Sequence, residues 1–322
     1  MKKILTLSLN PSLDRTLIKK YLSVGYSNTA VGESGFDPAG TGINIARALH
    51  QMDCTVGAVV LLGKDATGKA YSAIASDFDF EVVSVAVPGK TRSNTIIFDP
   101  SNNTETNITE LAGMRKEKDI DLVLRALVGL ITPGDYVVFG GDAPEAVPPG
   151  TYARLVTFAK NQHAHVCVVG GGMLFEEALV QKPEIVAVTQ IQLEGIFSVP
   201  LRDQHDLVEY ARKLLSEGVD EVLILVPEEN EVYFINKNRA VQVAFPAEEQ
   251  EGTATGVWDT LIAGFLAGKV KKLDIEESLG LGAAAASLAA AEIGYDFPEL
   301  ERIEELTEDV LGESLDEDHP DE

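Results

Sequence analysis

The segment GTATGVWDTLIAGFLAG, residues 252–268, places Asp259 at the start of an apolar helix of small residues, directly after a glycine-bearing turn. Backbone N–H groups at a helix N-terminus attract anions, and a carboxylate beside them can take a proton from a reacting group. The segment therefore predicts an anion site with Asp259 as general base. The alternative role of Asp259 is that of a helix cap. Trp258, the only tryptophan of the chain, brings an indole to the expected anion site.

The composition describes an acidic globular protein of 322 residues, with 45% hydrophobic side chains and a formal net charge of −25. So acidic a surface repels nucleic acid and anionic membranes, and we predict neither as a partner. No apolar run reaches the roughly 18–20 residues that cross a bilayer. The start MKKILTLSLNPSLD predicts a first buried strand rather than a signal peptide, so we expect a cytoplasmic protein. Two cysteines without CxxC spacing and five scattered histidines predict no metal site.

Short apolar runs alternate with amphipathic segments along most of the chain, for example KILTLSL, GINIARALHQM, TVGAVVLLG and ATGKAYSAIASDF. This rhythm predicts an α/β fold, with a mainly parallel sheet flanked by helices, in one domain of residues 1–298. Residues 299–322 are rich in carboxylates. We expect them to form an acidic C-terminal helix followed by a disordered, solvated tail at LDEDHPDE.

Two segments, residues 15–33 and 91–109, break this rhythm with alternating, β-rich sequence and turn residues. They predict a small antiparallel layer that lies over the main sheet as a β-lid. A lid of this kind excludes water from a transfer reaction.

Five motifs, in the same order and at similar spacing, resemble the ribokinase-like carbohydrate kinases of the PfkB type. They are LSLNPSLDRT, PAGTGINIARALH, GKTRSNTIIFD, PPGTYARLV and GVWDTLIAGFLAG. Within this family, the chain is most similar to the branch of 1-phosphofructokinase and tagatose-6-phosphate kinase. The resemblance implies a ribokinase-like three-layer sandwich with a β-lid, and an enzyme that phosphorylates a sugar hydroxyl.

The resemblance also implies an acceptor site for a sugar or sugar phosphate. Asp14 would hold sugar hydroxyls, and Arg92 would meet an anionic group. Thr41 stands where the branch has a lysine that binds the phosphate of the acceptor, and a lost charge-assisted bond costs about 1.5–3 kcal/mol. The full set of expected acceptor residues is Asn10, Asp14, Gly40, Thr41, Gly42, Asn44 and Arg92.

The phosphoryl-transfer loop of the family, usually GAGD, corresponds to Gly256, Val257, Trp258 and Asp259. Asp259 would be the catalytic base, and the three residues before it would form the anion hole. Trp258 replaces a glycine that allows close approach of the backbone to a phosphate. Losing one well-placed donor typically costs about 10²–10³ in rate. We therefore expect the indole to occupy the groove of the transferred phosphate.

The nucleotide side departs further from the family pattern. Val226 stands at a hydroxyl position, and Glu228 and Glu231 stand at two glycine positions, so their charges would repel the phosphates of ATP. Thr189 and Gln192 replace an asparagine and a glutamate that organise Mg²⁺. Neutral side chains of this kind bind Mg²⁺ weakly.

Two functions from different classes follow. The first is a weak or inactive pseudokinase that binds a small polyol or a protein partner, with no cofactor. The alternative is an active ATP-dependent sugar or sugar-phosphate kinase that uses ATP, Mg²⁺ and Asp259. In both, we expect weak binding of Mg-ATP and a homodimer formed through the lid.

Overall fold

The computed structural model describes residues 2–32, 35–111, 113, 115–141, 147–246, 252–308, 310 and 312–315. In chain order the elements are β1 (Ile4–Ser8), β2 (Ser12–Ile18), β3 (Phe36–Ala39), α1 (Thr41–Gln51), β4 (Val56–Gly63), α2 (Ala66–Ala75), β5 (Glu81–Val87), β6 (Arg92–Asp99), β7 (Thr104–Ile108), α3 (Glu117–Leu127), β8 (Tyr136–Gly140), α4 (Thr151–Asn161), β9 (His165–Val169), α5 (Gly172–Leu179), β10 (Ile185–Thr189), α6 (Gln190–Phe197), α7 (Gln204–Glu217), β11 (Glu221–Val226), β12 (Glu231–Asn236), β13 (Ala240–Ala244), α8 (Val257–Lys271), α9 (Ile275–Ala291), α10 (Leu300–Thr307) and β14 (Gly312–Ser314).

The main sheet has the strand order β14-β13-β12-β11-β10-β9-β8-β1-β4-β5. The seven strands from β11 to β5 are parallel, and β12, β13 and β14 continue the sheet with antiparallel pairing. Parallel strands such as β4, with the sequence VGAVVLLG, are continuous apolar runs in which every residue is buried. Such runs are typical of strands covered on both faces. The predicted fold class is confirmed.

Two helical layers cover the sheet. Buried side chains of α1, α2, α8, α9 and α10 form one hydrophobic cluster with one face, and those of α3 to α7 form a second cluster with the other face. The layers place the N-termini of α1 and α8 beside the lid, where the candidate site lies.

Helices α8 and α9 pack closely because glycines face each other. A Cβ added at Gly264 would lie 2.6 Å from the Cα of Gly282, and one at Gly268 would lie 2.4 Å from Ser278 Oγ. Since any larger side chain here would push the helices apart, this pair of glycines fixes α8 against its neighbour. The position of Asp259, in the first turn of α8, depends on that packing.

The lid is a four-stranded sheet of order β3-β2-β6-β7. The predicted lid segments contain most of β2, together with β6 and β7, whereas β3 follows the first segment, and residue 33 lies outside the described residues. The expected antiparallel pairing holds for β2–β3 and β6–β7, but the layer is mixed, because β2 and β6 run parallel. Both strands leave the carboxyl ends of parallel strands, β1 and β5, so they start in the same direction.

Exposed apolar side chains lie in the lid region, among them Val24, Tyr26, Val31, Phe36 and Ile108. A second copy of the chain could cover such residues, because large exposed apolar patches mark contact surfaces. The homodimer through the lid stays a prediction.

The C-terminal segment contributes to the main domain as far as the structure describes it. Helix α10 buries Ile303 fully, and β14 pairs with β13 at the edge of the main sheet. Helix α10 lies within this acidic segment, and residues 312–314 are part of the sheet. Of the predicted tail at residues 315–322, all but Leu315 lie outside the described residues. Among the helices described, none combines the length and apolar character that crossing a bilayer would require.

Candidate active site at the N-termini of two helices

Asp259 lies in the first turn of α8, which begins after Gly256. Gly256 has φ = 80°, a left-handed conformation that glycine adopts without strain. Asn44 Nδ2, on α1, donates a hydrogen bond of 2.7 Å to Asp259 Oδ2. Asp259 keeps part of its surface open to a cavity while protein surrounds the rest of it. This burial raises the pKa of Asp259 to about 7, and the Asn44 bond opposes the rise. A carboxyl group that titrates near neutral pH suits general-base catalysis.

Asp259 opens onto a cavity of about 270 Å³ between the lid and the core, here called the acceptor cavity. Seven of the predicted site residues line it: Asp14, Gly40, Thr41, Asn44, Arg92, Gly256 and Asp259. The predicted residues Asn10 and Gly42 do not line this cavity. The carbonyl of Asn10 accepts a hydrogen bond of 3.3 Å from Arg92 Nε, which leaves the terminal nitrogens of that guanidinium for other partners.

The turn before α1 approaches β1 very closely. A Cβ at Gly42 would lie 2.6 Å from Ser8 Oγ and 2.8 Å from the backbone of Leu7. Gly40 has φ = 124° and precedes the helix without a side-chain cap. Glycine is therefore required at both positions, and together they bring Thr41 and Asn44 to the edge of the cavity.

Asp14, on β2, is buried and bonded at both carboxylate oxygens. Asn94 Nδ2 donates to Oδ1 at 2.9 Å, and the Tyr295 hydroxyl donates to Oδ2 at 2.6 Å. Burial raises the pKa of Tyr295, and the neighbouring carboxylate of Asp14 raises it further, so the hydroxyl stays a neutral donor. Arg47 holds this tyrosine in place, since its Nη2 donates to the Tyr295 carbonyl at 3.0 Å. Asp14 is thus oriented, with its remaining lone pairs available to the cavity.

A second cavity of about 370 Å³ lies beside the first turn of α8, here called the aromatic cavity. Val257 and Trp258 line it, and the indole packs against Phe245 with ring centroids 5.6 Å apart. Pro227 and Asn230 line the same cavity from the turn after β11. The predicted anion-hole residues are therefore divided: Gly256 faces the acceptor cavity, whereas Val257 and Trp258 face the aromatic cavity. The start of α8 separates the two cavities.

Comparison with known proteins identifies the family of the chain. Residues 8–302 match the sequence profile of the pfkB family of carbohydrate kinases. The chain belongs to this family. It is 28% identical over 287 residues to the 1-phosphofructokinase of Bacillus subtilis, an alignment that covers 89% of this chain and 92% of the relative. It is 24% identical over 314 residues to the 1-phosphofructokinase of Vibrio cholerae, with 98% of both chains covered.

Solved structures share the fold of this pfkB-family protein. A possible 1-phosphofructokinase from Thermotoga maritima superposes with a TM-score of 0.85 at 24% identity, covering 97% of this chain and 99% of that one. The phosphofructokinase-2 of Escherichia coli, in complex with potassium, superposes with a TM-score of 0.87 at 22% identity and covers 96% and 99%. The family resemblance inferred from the motifs is confirmed.

The turn after β11, which the sequence predicted for the nucleotide side, has no basic side chain among its residues 227–231. Val226 is buried at the end of β11, and Glu228 is exposed. Glu231 accepts a hydrogen bond of 2.8 Å from the Tyr233 hydroxyl. Of this turn, Pro227 and Asn230 line the aromatic cavity, and the three residues predicted for the nucleotide side do not. Their roles stay predictions.

Thr189 and Gln192, predicted beside the metal, form a reciprocal capping box at the start of α6. Thr189 Oγ1 accepts from the Gln192 backbone N–H at 3.2 Å, and Gln192 Oε1 accepts from the Thr189 backbone N–H at 2.9 Å. Both side-chain oxygens therefore satisfy the helix terminus. Among the residues that the structure describes, one group of three potential metal ligands is present, Asp203, His205 and Asp206, and it lines neither cavity.

Sequence reasoning missed several residues that line or support the site, above all Tyr295, Asn94 and Glu105. Asn94 stood within the quoted lid motif, two residues after Arg92, and a residue two positions along a strand points to the same face. That spacing could have identified it. No local signal marks Tyr295, which is 281 residues from its partner Asp14.

We expect Tyr295→Phe to lower the free energy of unfolding by about 1–3 kcal/mol, because a hydrogen bond to a buried carboxylate is lost. Tyr71→Phe is the matched control. Tyr71 is fully buried, and its hydroxyl has no hydrogen-bond partner among the described residues, so its removal should cost less than about 1 kcal/mol. Urea unfolding at neutral pH measures both. Equal losses in the two variants would contradict the contact between Tyr295 and Asp14.

Proposed function

We propose that this pfkB-family protein is an ATP-dependent kinase that phosphorylates a hydroxyl of a small sugar phosphate, with Asp259 as general base. One observation carries the proposal: Asp259 has a pKa of about 7 and opens onto a polar cavity beside an uncapped helix N-terminus. A base, a space for the acceptor and a set of anion donors therefore meet at one point.

The acceptor would lie in the acceptor cavity between Asp14 and Asp259. Asp14, oriented by Asn94 and Tyr295, would accept hydrogen bonds from sugar hydroxyls. Asp259 would take the proton of the attacking hydroxyl as the hydroxyl oxygen bonds to the γ-phosphorus of ATP. The bond between that phosphorus and the β–γ bridging oxygen would break, and ADP would leave. The guanidinium of Arg92, at the same cavity, would pair with the phosphate that the acceptor already carries. This choice of acceptor follows the relatives named 1-phosphofructokinase.

The start of α8 fits the phosphoryl end of a nucleotide. The first N–H groups of a helix have no partners within the helix, and α8 has no side-chain cap. ATP bound in the aromatic cavity would supply the phosphoryl group across this turn. Thr189 and Gln192 do not fit strong Mg²⁺ binding, since both side chains are neutral. Each side-chain oxygen also accepts a hydrogen bond from the backbone N–H of the other residue. We assign no step to a metal.

The pseudokinase remains a second candidate, because Trp258 lies in the aromatic cavity and the nucleotide turn carries acidic residues instead of glycines. The two candidates differ in turnover. The protein would be incubated with Mg-ATP and either fructose 1-phosphate or fructose 6-phosphate, and the products followed by phosphorus NMR. A bisphosphate that accumulates over many turnovers supports the kinase. Acceptor binding by calorimetry, without any product, supports the pseudokinase.

We expect Mg-ATP to bind with a Kd above ~1 mM, which corresponds to a favourable binding free energy of less than about 4 kcal/mol. Trp258→Gly alone should give at most a small gain in affinity, and adding Glu228→Gly should give clearly more, because the pair removes bulk and a negative charge. Glu231 is left in place, since it bonds to Tyr233. Calorimetry of the single and double variants tests this. A micromolar Kd for the unaltered protein would refute the expectation.

A further inference from the structure

A lid carboxylate that lies beside the start of α8 bonds to the core. Glu105, on β7, accepts a hydrogen bond of 2.9 Å from the backbone N–H of Ala254 through Oε2. Its Oε1 accepts a hydrogen bond of 3.0 Å from Thr255 Oγ1. On the same strand, Asn107 Nδ2 donates to Oε1 at 2.6 Å and fixes the direction of the carboxylate. Glu105 thus holds two consecutive residues of the core from the lid.

These two residues lead directly into the candidate catalytic turn. Ala254 and Thr255 precede Gly256, after which α8 begins and Asp259 follows within one turn. Thr255 and Asp259 line the acceptor cavity, whereas Glu105 and Trp258 line the aromatic cavity. The bonds of Glu105 therefore act at the boundary between the two cavities.

At its other end, the same lid contacts the acceptor side. Strand β7 pairs with β6 from Thr95 to Asp99, and β6 begins with Arg92 and Asn94, which bond to Asn10 and Asp14. A ligand that orders β6 against Asp14 would also order β7, because paired strands share a ladder of hydrogen bonds. Through its bonds to Ala254 and Thr255, Glu105 would then also order the loop before α8.

We propose that Glu105 is a positioning residue, which couples occupation of the acceptor cavity to the arrangement of residues 254–256 and hence to Asp259. The proposal rests on the proposed kinase function for its effect on rate. Its structural part concerns the contact between lid and loop and does not depend on turnover. Trp258 reports on this contact, since it is the only tryptophan and lies in the same cavity as Glu105.

The test compares Glu105→Gln with Glu110→Gln. Both variants remove one negative charge from the lid, but Glu110 Oε2 accepts from the Ser93 backbone N–H, a contact within the lid. Without ligand, Glu105→Gln should increase quenching of Trp258 fluorescence by acrylamide, and Glu110→Gln should leave it unchanged. Fructose 1-phosphate should alter the emission of the parent and of Glu110→Gln, and should alter Glu105→Gln much less. Circular dichroism confirms that all three proteins are folded.

In the turnover assay, Glu105→Gln should lower kcat by about 10–100-fold, the loss expected from a charge-assisted bond. The Kd of the acceptor should change less than about 3-fold, since Glu105 does not line the acceptor cavity. Glu105→Asp keeps the charge but shortens the side chain, so it should lose the bonds to Ala254 and Thr255. Its kcat should therefore fall as in Glu105→Gln.

The outcomes separate the two proposals. Equal quenching in the parent and in Glu105→Gln would overturn the role of Glu105, whether or not the protein is a kinase. If the parent turns over no sugar phosphate, the kinase function is overturned. If Glu105→Gln still exposes Trp258 in that case, the contact between lid and loop stands. An unchanged kcat in a folded Glu105→Gln would overturn the coupling.

Discussion

Asp259→Asn should lower kcat for the phosphorylation of a sugar phosphate by about 10²–10⁴-fold, the range that general-base catalysis contributes. Asparagine has nearly the same shape as aspartate, but it cannot take a proton at neutral pH. Its side-chain oxygen can still accept the hydrogen bond from Asn44 that Asp259 accepts now. We therefore expect the fold and the acceptor Kd to change little while the rate falls.

The matched control is Asp274→Asn. Asp274 is the N-cap of α9, where its side chain accepts a hydrogen bond from the Glu277 backbone N–H at 2.8 Å, and it lines neither cavity. Its loss should cost at most about 1 kcal/mol of stability and leave kcat unchanged. A similar, small effect of both variants on kcat would show that Asp259 is only a helix-start residue. Initial rates at saturating substrates, with urea unfolding of each variant, make the comparison.

Protonation of Asp259 should make both the activity and the stability of the protein depend on pH. Because the base must be deprotonated, kcat/KM should fall as the pH drops below about 7, the pKa to which burial raises Asp259. The stability effect has the opposite direction. The folded-state pKa lies above the unfolded value of 3.8, so the folded state binds the proton more tightly, and this stabilisation is lost as the pH rises from about 4 to about 7.

The rise in the pKa of Asp259 from 3.8 to about 7 corresponds to at most about 4 kcal/mol of unfolding free energy. Water in the acceptor cavity reduces this contribution. The difference in unfolding free energy between Asp259→Asn and the parent isolates this contribution. Other carboxylates, such as Asp99, have a lowered pKa through their hydrogen bonds and act in the opposite sense, but they cancel in the difference. The variant should gain relative stability from pH 4 to pH 7 and then remain level. A difference that does not vary with pH would contradict the raised pKa of Asp259.

Much of the acceptor side was predictable from the sequence, because short motifs set the local geometry that brings these side chains together. The turn around Gly40 and the turn around Gly256 each start a helix, and each carries one of the two bonded residues, Asn44 and Asp259. Asp14, predicted from its motif to hold sugar hydroxyls, lies on β2 and lines the same cavity. The residues that face the aromatic cavity were harder to predict, since the turn after β11 points Pro227 and Asn230 into it.

By itself, the sequence determined the family, the alternation of strands and helices, and the turns at which helices begin. These features depend on residues close together in the chain: apolar periodicity, glycines with positive φ, and the Thr189–Gln192 spacing that caps α6. Only the tertiary structure decided which distant groups meet. Tyr295 bonds to Asp14, and Glu105 bonds to Thr255, across 281 and 150 residues respectively. Contacts of this kind arise from how the helices and the lid pack on the sheet, so they cannot be predicted from spacing along the chain.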